Sequence, residues 1–146
     1  MDQSRMRGFT LIELVVVITI LGILAAFAIP RFTALESQAR AAAVKGLEGS
    51  IRSAATLAKA TAMATGGNPA SISMEGQTIN LTNSYPTAAD IDNTLQDTTG
   101  FTFSVAAGVT TFVATGATNS ATCSVSYTPP AAAGSPPTIT SATGGC

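Results

Sequence analysis

The sequence contains no histidine and no tryptophan, and only two cysteines. That inventory cannot supply a tetrahedral metal site or a histidine-based acid–base pair. No glycine-rich phosphate loop is present either. No catalytic residue, metal or cofactor is therefore expected. Charge is scarce too: 10% of residues are charged and the net charge is −1, which gives no electrostatic basis for holding nucleic acid. What charge there is lies unevenly. All seven basic residues stand at or before Lys59, and residues 60–146 carry only Glu75, Asp90, Asp92 and Asp97. Six Phe and two Tyr leave a core to be built largely from small side chains. At 146 residues the chain has the length of one domain.

Cys123 and Cys146 would most simply pair with each other if the chain is exported. A catalytic thiol is the competing reading, but it lacks an activating base. Pairing would close a loop of about 24 residues, worth about 3.5 kcal/mol in the chain-entropy treatment.

Apolar residues make up 46% of the chain, and many stand in one block. Residues 1–8 are polar and include Arg5 and Arg7. Phe9-Thr10-Leu11-Ile12-Glu13-Leu14 follows, and the chain is then uncharged through Pro30. As a helix, Phe9 to Ile29 would span about 30 Å, enough to cross the hydrocarbon of a bilayer. The preceding arginines would hold that end in the cytoplasm. Three readings compete. A secretory signal peptide would use Ala26-Phe27-Ala28 as its cleavage site, but Glu13 and Pro30 fit it poorly. A simple anchor gives no reason for Glu13, which costs on the order of 3 kcal/mol in a membrane helix.

The third reading is a resemblance. Gly8-Phe9-Thr10-Leu11-Ile12-Glu13-Leu14, the apolar run and Pro30 resemble the N-terminus of type IV pilins and pseudopilins. The resemblance implies a leader, residues 1–8, cut after Gly8 by a prepilin peptidase that also N-methylates Phe9. It implies a membrane and filament-core helix over 9–30, with an amphipathic helix and β-rich head over 31–146. The subunit would sit in the inner membrane, pass to an assembly platform there, and polymerise with itself into a surface pilus used in adhesion or motility. A pseudopilin of a type II secretion system is the alternative. Glu13 would meet the Phe9 ammonium of an adjacent subunit, since a buried cation needs a partner. Pilins also commonly carry a C-terminal disulfide-bounded region, which suits Cys123 and Cys146. Leu47-Glu48-Gly49, with Leu81 and Tyr85-Pro86, is similar to mannose-sensitive haemagglutinin-type pilins.

The expected fold is α+β: a long N-terminal helix on a small antiparallel sheet, with a disulfide-closed C-terminal loop. Val44, Leu47, Ile51, Ala54, Ala55, Ala58 and Ala62 share one helical sector. Glu36–Arg40 and Glu48–Arg52 are favourable i,i+4 pairs. Pro30 should kink or locally melt the helix near Gly22–Ile29. Ser71–Met74 and Gln77–Leu81 flank Glu75-Gly76 as a hairpin, and Phe101–Val105 and Val109–Val113 flank Ala107-Gly108 as a second. Thr87-Ala88-Ala89-Asp90 reads as a capping box opening a short helix to about Gln96. Thr122–Tyr127 and Thr138–Thr140 read as further strands.

Overall fold

The structure, a computed structural model, describes residues 8–146. The leader expected over residues 1–8 lies outside the described residues except for Gly8. One helix, α1 (Leu11–Ala64), is followed by seven strands. These are β1 (Ser71–Met74), β2 (Gln77–Thr82), β3 (Tyr85–Pro86), β4 (Phe101–Ala106), β5 (Val109–Ala114), β6 (Ser124–Thr128) and β7 (Thr138–Ala142). The fold is α+β as expected, but the strands form two antiparallel sheets, ordered β1-β2-β3 and β4-β5-β6-β7. The chain divides into two compact units between Glu36 and Ser37.

In the first unit, α1 presents its apolar side chains to solvent all round, from Leu11 to Leu35. Among the described residues, α1 is the one helix long and apolar enough to cross a membrane. It continues unbroken through Pro30, so no melted stretch precedes the proline. A proline removes one ladder bond, and here the residues on both sides hold the helical path. Thr33 Oγ1 donates to the Pro30 carbonyl at 3.0 Å within the same turn.

In the second unit, α1 turns the expected sector inward. Val44, Leu47, Ile51, Ala55, Ala58 and Ala62 are buried, and Ala54 is half-buried. Val44 to Ala55 pack with Tyr85, Ile91, Phe112, Val125 and Tyr127. Ala58 and Ala62 lie against Ile72 and Ile79 of the hairpin, where alanine lets the strands come close. Each large side chain buried here, such as Ile51 or Phe112, contributes about 1.5–3 kcal/mol. Two buried hydroxyls are matched: Tyr127 Oη donates to the Pro86 carbonyl at 2.7 Å, and Thr110 Oγ1 donates to the Ala88 carbonyl.

Both hairpins turn where expected. Glu75 and Gly76 have φ of 49° and 82°, and Ala107 and Gly108 have φ of 50° and 76°. Two positive φ values in a two-residue loop match the twist of the flanking strands. The helix expected from Thr87 to about Gln96 is instead a single 3-10 turn, Asp92–Thr94. A capping box would need Asp90 to accept from the Thr87 amide. That amide donates to the Asn80 carbonyl instead, and Asp90 accepts from the Thr87 hydroxyl at 2.8 Å and the Asn80 amide at 3.3 Å. The box residues are used to tie this segment to β2. The strand expected from Thr122 begins at Ser124, because Ser120–Thr122 forms a 3-10 turn capped by Asn119.

Cys123 and Cys146 are joined in a disulfide and both are buried. The tail is also held by hydrogen bonds. Gly145 donates to the Thr122 carbonyl at 2.9 Å and accepts from the Asn119 amide at 3.0 Å. A Cβ on Gly145 would stand 2.6 Å from the Asn119 carbonyl oxygen, so no larger residue fits. Arg40 Nε reaches the Cys146 carbonyl at 2.8 Å.

Glu48 fastens β7 to α1. Its carboxylate accepts from Ser141 Oγ at 2.6 Å and from Arg52 at 2.9 Å, and these bonds, Ser141 first, hold its pKa below the ordinary value. A depressed folded-state pKa stabilises fully above the unfolded carboxylate value, about 4.3. That stabilisation is lost as pH falls through the folded value. Wild type should therefore melt above Glu48→Gln at neutral pH, and the gap should close on acidification below about pH 4. Parallel thermal melts check this; a gap of constant size would assign the effect to shape rather than charge.

Candidate functional site

The N-terminal end of α1 is a site built from its own first residues. Gly8, Phe9 and Thr10 precede the helix, and Phe9 is 86% exposed. The Gly8–Phe9 peptide bond therefore lies outside the helix, in exposed chain. Among the described residues, a Cβ on Gly8 would meet nothing within 4 Å.

The first turn is locked by a reciprocal pair. Glu13 N–H donates to Thr10 Oγ1 at 3.3 Å, and Glu13 Oε2 accepts from the Thr10 amide at 2.8 Å and the Thr10 hydroxyl at 2.7 Å. Leu14 N–H donates to the Thr10 carbonyl at 3.3 Å. This is a capping box, which satisfies two of the four donors that a helix start leaves unpaired. It also places a carboxylate at the positive end of the helix dipole. Thr10 is the residue that the sequence reading passed over. Its signal was present, because Thr-Leu-Ile-Glu has the required spacing ahead of an apolar run.

Gly8, Phe9 and Glu13 thus gather around one helix end, while Cys123 and Cys146 belong to the second unit. Elsewhere in that unit a groove beside α1 collects Glu75 and Asp97 among Ser50, Leu57, Met74 and Leu95. Among the described residues, no group of three or more His, Cys, Asp or Glu is placed to hold a metal ion.

The prokaryotic N-terminal methylation motif matches residues 3–29. A type IV narrow pilus major component of Thermus thermophilus is 52% identical over 54 residues, 37% of this chain and 47% of that protein. A type IV major pilin of Myxococcus xanthus is 51% identical over 43 residues, 30% of this chain and 20% of its own length. A type II secretion system core protein G of Pseudomonas aeruginosa is 46% identical over 46 residues, 32% of each chain. The matched stretch covers less than half of each of these relatives. No solved structure matches the chain. Over stretches that amount to about a third of its length the chain is similar to type IV pilins and to a secretion core protein alike, and the methylation motif matches residues 3–29.

Proposed function

We propose that the chain is a structural subunit of a type IV pilus-like filament, made as a precursor and assembled through α1. The observation that carries this reading is the N-terminal unit itself: a helix apolar on every side, exposed along its length, and started by a capped carboxylate. Such a surface needs lipid or other helices around it. In this reading the precursor rests in the inner membrane. A prepilin peptidase cuts it after Gly8 and methylates Phe9, and an inner-membrane platform feeds it into a homopolymer at the cell surface. Glu13 Oε2 caps its own helix, and Oε1 is the oxygen that a neighbouring Phe9 ammonium would approach. No enzymatic role is proposed. Similarity to the mannose-sensitive haemagglutinin-type pilins is the finer form of this reading, and adhesion or motility would be its use.

The second reading is a pseudopilin of a type II secretion system, favoured by the similarity to the Pseudomonas core protein. Electron microscopy of sheared cell-surface material separates the two, since long fibres fit a pilus and their absence fits a pseudopilus. The intact mass of purified subunit should correspond to a chain starting at N-methylated Phe9. A mass corresponding to a start at Ile29 would make the N-terminal segment a signal peptide and overturn both readings.

A further inference from the structure

The second unit is unfinished at one edge. β4 is an edge strand of the four-stranded sheet, and every residue from Thr102 to Ala106 is exposed. Phe103 lies opposite Phe112 in the ladder, with ring centroids 5.6 Å apart. Phe112 is wholly buried, whereas Phe103 is 47% exposed and Val105 46%. The apolar face of the sheet therefore runs out into solvent along β4. Free edges are normally blunted by charge or proline. β4 has neither, and no charged residue follows Asp97.

Charge and size argue for the occupant. A charged surface laid on this edge would lose water without compensation, so the partner must be apolar at its centre. In the second unit, the exposed large hydrophobics are Leu57, Met63, Phe103 and Val105. Leu57 lines a shallow groove on α1 together with Gly49, Arg52, Ser53, Thr56 and Ala60. Residues as small as Gly49, Ser53 and Ala60 leave room for a phenyl ring. The unit's charges divide in the same sense. Ser37–Ala64 carries Arg40, Lys45, Arg52 and Lys59 against Glu48, whereas residues 65–146 carry four acids and no base.

We propose that β4 docks on a second copy of this chain, with Phe103 and Val105 entering the α1 groove beside Leu57. Two different patches of one molecule then join, a heterologous contact of the kind that builds open helical arrays. The inference rests on the filament reading and adds to it the contact between head units.

The test places the photoreactive residue p-benzoylphenylalanine at position 103 of the full-length chain, in cells that assemble it. Irradiation should give an adduct of twice the subunit mass, with the linked peptide mapping to residues 49–63. Adding Leu57→Asp should abolish the adduct while the Cys123–Cys146 bridge still forms. Adducts mapping to β4 or β7 of the second copy, adducts to another protein, or no adduct would overturn the contact. Electron microscopy of the same material separates the two ideas. Fibres without the adduct overturn the contact and leave the filament standing. The double-mass adduct without fibres supports the contact and counts against a long pilus.

Discussion

Glu13→Ala should give a subunit that reaches the membrane and is cut after Gly8, yet builds no fibre when it is the only subunit present. Three effects act together. Removing the charge eases membrane residence by up to about 3 kcal/mol. Leaving the Phe9 ammonium of a neighbour unpaired costs about 3–5 kcal/mol if the assembled site is buried. Losing the bonds to Thr10 costs about 1 kcal/mol more at the helix start. The first term holds the subunit in the bilayer and the second acts at every contact of a fibre, so both oppose assembly. Glu13→Gln separates charge from capping, because glutamine can still accept from the Thr10 amide. It too should yield no sheared fibres. Normal fibres from Glu13→Gln, with loss only in Glu13→Ala, would make Glu13 a capping residue and nothing more.

Replacing both cysteines, Cys123→Ala with Cys146→Ala, should lower the stability of the second unit by about 3.5 kcal/mol through loop-closure entropy. For a unit of this size that corresponds to a drop in Tm of about 15 °C. The bridge spans a sequence separation of 23 and fixes a tail whose only strand is β7 at a sheet edge. Thermal melts of the double variant against wild type measure the effect. A drop below about 5 °C would show that the β6–β7 ladder, Gly145 and Arg40 hold the tail without the covalent link.

Sequence patterns were most legible where a local rule acted without a competitor. Glu75-Gly76 and Ala107-Gly108 each stand between alternating runs, and both became turns. The inward sector of α1 followed from period alone, because nothing interrupts the helix between Arg31 and Ala64. Two of the Thr-x-x-acid segments, Thr10 to Glu13 and Thr87 to Asp90, mark the boundary of such reasoning. Thr10 to Glu13 forms its box because, among the described residues, its amide and carboxylate meet no competing partner and the helix runs on unbroken to Ala64. Thr87 to Asp90 does not, because Asp92-Asn93-Thr94 are poor helix formers and Asn80 offers both box residues a partner across the chain. The Glu48–Ser141 and Arg40–Cys146 bonds join residues 93 and 106 positions apart, which no local pattern could report. At the candidate site, Gly8, Phe9 and Glu13 are singled out by the resemblance to pilin N-termini, and the structure places Glu13 in the first turn of α1 with Gly8 and Phe9 just ahead of it. Thr10 carries no signal in the membrane cost of Glu13; it shows only in the Thr-x-x-Glu spacing of the cap.

The four-stranded sheet is electrically silent. From Thr98 onward no acidic or basic side chain occurs, and the one titrating group, the Tyr127 hydroxyl, is pushed above its ordinary range by burial and then by Tyr85. Screening by dissolved ions acts on charge, and here there is none to screen. Fresh, saline or mildly acidic water should meet the same surface on β4 to β6, away from the Glu48 carboxylate that holds β7. Proteases that cut after lysine or arginine find no site past Lys59. A layer with these properties suits a molecule whose surroundings are not under the cell's control.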